Sequence, residues 1–138
     1  MNKFVAGIIV LAIAGGIYAY LEYNRKPADL KNKKAAAQVT AKELILLYTN
    51  YEDSANRKYL GKVVEVSGTI IRITNQPDSL VNILLGDSSL LSGVSCQIDS
   101  KHINETKMHR IGESLVIRGY CTGFLMDIEL NRCVFVKQ

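Results

Sequence analysis

The chain has 138 residues, 48% of them hydrophobic, with 17 basic against 13 acidic side chains and a formal charge of +4. That length holds one small folded domain. The excess charge is not spread along it: seven basic and three acidic residues precede Asn50, and ten of each follow, so the remainder is neutral and carries no electrostatic footprint of a nucleic-acid binder.

Phe4 to Leu21 is an uncharged apolar run. As a helix it would span roughly 27 Å, close to the hydrocarbon core of a bilayer. Tyr18, Tyr20 and Tyr23 gather at one end, where interface aromatics sit. A cleaved signal peptide is the alternative, with Ala14-Gly15-Gly16 as a small-residue site. The apolar run continues past those residues, which favours an uncleaved single-pass anchor over residues 4–21. Two signals oppose one another on sidedness. The basic cluster Arg25, Lys26, Lys31, Lys33, Lys34 favours a cytoplasmic domain, whereas a short N-terminal tail (residues 1–3) with one lysine is the layout of an exported one. The balance leans to the extracytoplasmic side once the resemblance below is added.

Residues 22–39 read as a polar linker. Pro27 prevents the first helix from continuing, and the Lys/Asn/Ala stretch after it reads as a weakly helical, solvated spacer or, if it is cytoplasmic, as a surface for anionic headgroups. At Thr40 a helix is announced by the capping-box pattern Thr40-Ala41-Lys42-Glu43. Leu44, Leu47, Tyr48, Tyr51, Ala55 and Tyr59 then recur at three- and four-residue steps, predicting an amphipathic helix of four to five turns, with Asp53 to Asn56 a weak point, ending at Gly61.

From Lys62 the period becomes two. The first strand is expected over about Lys62 to Thr74, bent by a bulge at Gly68 where the apolar phase slips. Asn75-Gln76-Pro77-Asp78 is a turn. A second strand carries Val81, Ile83 and Leu85, and a third turns Val94, Cys96 and Ile98 to one face. Asp99 to Arg110 is a polar insertion without a clear period. A fourth strand has Leu115, Ile117, Gly119 and Cys121 inward, Thr122-Gly123-Phe124 turns, and Met126, Ile128 and Leu130 begin a fifth. Five strands, the first bent, with an insertion between the third and fourth, predict a mainly β protein: a five-stranded OB-fold barrel over residues 40–138, preceded by the amphipathic helix and the transmembrane helix. An SH3-like barrel is the structural rival.

The residues Ala55-Asn56-Arg57-Lys58-Tyr59-Leu60-Gly61-Lys62 at the entry to the first strand, Gly119-Tyr120-Cys121-Thr122-Gly123, and the ending Asp127-Ile128-Glu129-Leu130-Asn131-Arg132-Cys133 occur together here. In these the stretch from Thr40 to about Val136 resembles the tRNA-anticodon-binding-like OB family of bacterial membrane-anchored or lipoprotein-type proteins. The resemblance implies an OB fold and a nucleic-acid-binding label, and a fold does not fix a function.

An OB reader of single strands needs a positive groove and aromatic stacking platforms. Leu80 to Gly86 and Gly93 to Ile98 contain no aromatic residue, and Asp127 and Glu129 offset Arg72, Arg118 and Arg132. The residues therefore favour a module that docks a protein or small ligand at the cell envelope, with single-stranded RNA or DNA as the alternative. Arg72, Asn82, Ser95, Gln97 and Arg118 are the candidate ligand-binding positions, expected on the outer face. Cys96, Cys121 and Cys133 are odd in number; Cys96 and Cys121 fall on inward phases, as buried thiols or as a disulfide of an exported domain. His102 and His109 lie on the polar insertion, where solvated side chains are expected, and the wide Cys/His spacings argue against a metal site. The chain has no Gly-rich phosphate loop, nucleophile elbow or paired His and carboxylate at helical spacing; it implies no enzyme and no cofactor. Asp127 and Glu129 read as the wet side of the last strand.

Overall fold

The computed structural model describes residues 2–137. α1 (Lys3–Tyr23) buries no side chain, has a mean hydropathy of 2.2 over its most apolar window, and is long and apolar enough to cross a membrane. A signal sequence has the same length and composition.

The stretch expected to be a free spacer is instead part of the fold. Asp29 caps a 3-10 turn at Leu30–Asn32 by accepting from the Lys31 backbone N–H at 2.9 Å. Leu30 is 1% exposed and packs with Val63 and Val134. Ala36 N–H donates to the Val63 carbonyl, and β1 (Ala37–Thr40) then runs parallel to the start of β2 (Val63–Asn75), with Ala37 opposite Val64. The polarity of residues 22–39 hid one buried leucine and a short edge strand.

The capping box at Thr40 is formed in both directions: Glu43 N–H donates to Thr40 Oγ1 at 3.2 Å and Thr40 N–H to Glu43 Oε2 at 3.1 Å. The expected single helix is two, α2 (Ala41–Asn50) and α3 (Glu52–Tyr59), broken at Tyr51 with φ −145° and ψ 58°. Asn50 uses its side-chain amide on the Leu46 carbonyl, which competes with continuation of the helix. α3 restarts with Glu52 and Asp53 in its first turn and Arg57 and Lys58 in its last, the order that a helix dipole favours. Ala41, Leu44, Ile45 and Tyr48 of α2 and Ala55 and Tyr59 of α3 are buried against the strands; Tyr51, expected on the stripe, points outward.

β2, β3 (Val81–Gly86), β4 (Val94–Ile98), β6 (Ile128–Val136) and β5 (Ser114–Phe124) pair in that order, and β5 returns to β2 to close the barrel. The insertion holds a 3-10 helix, Ser100–Met108. The bulge in β2 falls between Ile70 and Arg72, not at Gly68. Val64, Val66 and Ile70 are all fully buried, so the inward phase runs unbroken through Gly68 and slips only afterwards. Gly68 has a different task. A Cβ there would stand 2.9 Å from Ala41 Cβ and 3.3 Å from Leu85 Cβ, so its absence lets α2 lie on the strands. β5 continues through Thr122, Gly123 and Phe124, and the turn falls at Leu125 to Asp127; Met126, expected to begin the last strand, lies in that turn and is 84% exposed.

Candidate ligand-binding face

Side chains alternate across a strand, so burying Val81, Ile83 and Leu85 turns Asn82 and Leu84 outward, and burying Val94, Cys96 and Ile98 turns Ser95 and Gln97 outward. The register places these side by side: Arg72 opposite Leu84, Leu84 opposite Ser95, Asn82 opposite Gln97, and Ser95 opposite Glu129 of β6. Arg72, Asn82, Ser95 and Gln97 therefore share one outer face. They are not equally free. Asn82 Nδ2 donates to Ser95 Oγ at 2.8 Å, and Ser95 is only 5% exposed beneath its neighbours. Arg72 is exposed. Burial of the Glu129 carboxyl raises its pKa, Asp127 adds to the rise, and a hydrogen bond with Ser95 opposes it.

Beside this polar strip the face deepens into a groove of about 510 Å³, bordered by Ile71, Arg72 and Leu84, by Leu90 to Gly93 of the β3–β4 loop, and by Phe124 to Asp127 at the β5–β6 turn. The loop and the turn are tied together: Gly93 N–H donates to Asp127 Oδ1 at 2.7 Å, and Ile128 N–H to the Gly93 carbonyl at 2.9 Å. Leu91, Leu125 and Met126 stand almost fully in solvent at its rim. The sequence reading did not select these residues. Its usable signal was two apolar pairs, Leu90-Leu91 and Leu125-Met126, at loop tips where polar residues are the rule.

Arg118 is elsewhere. Its guanidinium donates from Nη2 and Nε to Glu65 Oε1, at 2.5 and 2.9 Å, and from Nη1 to the carbonyls of Leu30 and Lys31. Glu65, 8% exposed, also accepts from Gln38 Nε2 at 2.8 Å. Arg118 therefore holds residues 30–38 to the barrel and is not part of the ligand face.

The histidines are not solvated. His102 is 8% exposed, with Nε2 2.8 Å from Asp29 Oδ2 and Nδ1 2.7 Å from Glu105 Oε1, which also accepts from Lys31 Nζ. His109 bonds Glu113 and stacks on Phe135 with ring centres 4.4 Å apart. Burial pulls the His102 pKa down, but the bonds to Glu105 and Asp29 and their charges outweigh it, and the net shift is upward from 6.5. Asp29 is lowered from 3.8, first by the Lys31 N–H, and Glu105 from 4.5, first by the Lys31 ammonium. A raised histidine contributes stability that is complete below its unfolded value and is lost as pH rises through the folded one. The lowered carboxylates contribute above their unfolded values and lose it on acidification. The attachment of Asp29 should thus be firmest between about pH 4.5 and 6.5. Tryptic cleavage at Lys31 to Lys34 at fixed protease activity should accelerate above that window. A parent rate that does not change with pH, or one that rises equally in the His102→Gln variant, would remove His102 from this role.

Cys96, Cys121 and Cys133 are all fully buried free thiols. Burial raises the pKa of Cys133 well above the ordinary thiol value, with Cys96 as its hydrogen-bonding neighbour. Cys121 Sγ lies 3.2 Å from the hydroxyl of Tyr48.

A closed barrel of this strand order, helix-capped, with a two-strand outer face flanked by loops, is an OB-fold domain of the binding type. The chain belongs to the tRNA_anti-like family, whose model matches residues 1–135. Among solved structures, it is similar to a lipoprotein proposed to bind nucleic acid, from Klebsiella pneumoniae subsp. pneumoniae MGH 78578, at 18% identity and a TM-score of 0.62 over 81% of this chain and 100% of that one. That similarity establishes a shared fold. Asparaginyl-tRNA synthetase of Entamoeba histolytica matches at 17% identity and TM-score 0.42, over 56% of this chain and 22% of that one. A replication factor A related protein of Methanobacterium thermoautotrophicum matches at 15% and 0.44, over 58% and 88%. No curated protein is significantly similar to this chain.

Proposed function

We propose that this protein is a membrane-tethered OB module that docks an apolar segment of an envelope protein in the groove between the β3–β4 loop and the β5–β6 turn, with α1 as an uncleaved anchor and the barrel outside the cytoplasm. One observation carries the reading: the rim of the groove is Leu91, Leu125 and Met126, and Arg72, the only cation among its described lining residues, shares that lining with the carboxylate of Asp127. Burying three such side chains contributes roughly 1.5–3 kcal/mol each, enough to drive docking once the partner shares the membrane. Phosphate binding draws on uncompensated cations, and base stacking on exposed aromatic faces. The groove offers Phe124 alone, and its ring lies against Tyr48 with centroids 5.7 Å apart.

Photo-crosslinking from Met126 in intact cells tests this. The expected product is a discrete, nuclease-resistant protein adduct that is lost in the Leu125→Asp variant. Leu125 is exposed, so that variant should melt within about 4 °C of the parent. Nuclease-sensitive adducts would instead favour single-stranded RNA or DNA, the reading supported by the family and by the polar strip of Asn82, Ser95 and Gln97. The intact mass of the purified protein tests the anchor: loss of the first fifteen or so residues would mean a cleaved signal.

A further inference from the structure

Tethering leaves open how far the barrel stands from the bilayer, and the hydrogen bonds of residues 28–40 constrain it. Arg132 Nη2 donates to the Ala28 carbonyl at 2.6 Å, His102 holds Asp29, Arg118 holds the carbonyls of Leu30 and Lys31, and Lys33 Nζ donates to the Tyr120 hydroxyl at 2.6 Å. The chain is therefore fixed to the barrel from Ala28 onward. Only residues 24–27 separate that point from the end of α1 at Tyr23. Fully extended, that gap spans roughly 18 Å, so the strapped side of the barrel stays close to the headgroups of the leaflet that α1 leaves.

The charge on that side is one-sided. Asp29 is matched by His102, and Glu105 by His102 and Lys31; Arg25 pairs with Glu22. Lys26, Lys33 and Lys34 are exposed and, among the described residues, form no ion pair. Lys33 spends one of its three donors on Tyr120 and lies over that ring, which sets its ammonium at the surface of the barrel. Two uncompensated ammonium groups on the rigid strap, Lys33 and Lys34, and a third, Lys26, on the four-residue tether beside it are held against the bilayer, where they match the phosphates of anionic lipids.

We infer that the strap, through Lys33 and Lys34, together with Lys26 of the tether, docks the barrel on anionic phospholipid headgroups and fixes its orientation on the membrane. The inference rests on the anchor reading above. Three such contacts raise the ratio of docked to undocked barrel on the order of a hundredfold at low salt, and less as salt screens them.

The chain contains no tryptophan, so Asn104→Trp, at an exposed position beside Glu105, places a single reporter near the strap. The full-length chain is placed in nanodiscs of phosphatidylcholine, or of the same lipid with roughly one-third phosphatidylglycerol, each containing a nitroxide-headgroup lipid as quencher. A Gly/Ser insert of about twelve residues after Asn24 gives a matched chain with a slack tether. The expected result is strong quenching in anionic discs for both tethers, reduced to the phosphatidylcholine level in the slack chain by Lys26→Gln, Lys33→Gln and Lys34→Gln together. Equal quenching in the two lipids with the slack tether, or no effect of the three substitutions, overturns headgroup recognition. A chain that fails to stay with the discs overturns the anchor reading instead, so the two failures are distinguishable.

Discussion

Gly119→Ala should destabilise the barrel by about 3 kcal/mol, the upper part of the overpacking range, and lower its melting temperature on the order of 10–20 °C. The new Cβ would lie 2.5 Å from Cys133 Sγ and 3.3 Å from both the Asn131 carbonyl and Leu130 Cβ. Cys133 cannot swing aside, because it is fully buried and its thiol is bonded to the Leu130 carbonyl at 3.3 Å. The sulfur is the closest obstacle, which makes the prediction specific. Adding Cys133→Ala to the same chain should recover part of the loss, although Cys133→Ala alone is itself destabilising. A thermal-melt double-mutant cycle reads the coupling. Simple additivity would mean that the strain comes from the β6 backbone and not from the thiol.

Arg118→Ala is the second substitution with a large expected cost, roughly 3–5 kcal/mol in urea unfolding. Glu65 would be left as a buried carboxylate with Gln38 as its remaining side-chain partner, and the carbonyls of Leu30 and Lys31 would lose their donor. The same variant should expose Lys31 to Lys34 to trypsin before the barrel unfolds. Replacing both partners by apolar residues of similar size, Arg118→Met with Glu65→Leu, should return most of the stability while leaving the strap loose. If Arg118→Ala costs less than 1 kcal/mol, the pair behaves as a surface ion pair and the strap is held by Leu30 and His102.

The elements most legible in the sequence are those whose apolar residues follow a strict period. Val81, Ile83 and Leu85, and then Leu115, Ile117 and Cys121, alternate cleanly, and each turns inward as expected. The Thr40 capping box was readable because both halves are local, three residues apart. The bulge was misplaced because Gly68 offers two meanings, a bend or a close approach, and only the position of Ala41 on α2 decides between them. The strap was missed because its signal is one leucine among lysines, Leu30, whose burial depends on Val63 and Val134 far along the chain. The same reason misread Arg118 and His102. A polar residue on an outward phase looks like a ligand position until its partner is known, and the partners here, Glu65, Asp29 and the Leu30 carbonyl, lie 53 to 88 residues away. The shared outer face of Arg72, Asn82, Ser95 and Gln97 is legible from strand phase alone; the leucine rim of the candidate groove is not, since loops have no phase.

The bond from Arg132 to Ala28 joins residues 104 apart, and it has a kinetic meaning. During synthesis α1 and the strap emerge before the surfaces that receive the strap, which are β2, the 3-10 helix of residues Ser100–Met108, β5 and, last of all, β6. If α1 is the anchor proposed above, it reaches lipid before the domain behind it can complete its pairing, and Leu30 waits uncovered until the final strand arrives. Loop closure over so long a separation is slow compared with helix formation. The slowest folding step should be the joining of the two ends of the domain, and a nascent chain paused before Arg132 should remain sensitive to protease along its lysine-rich segment.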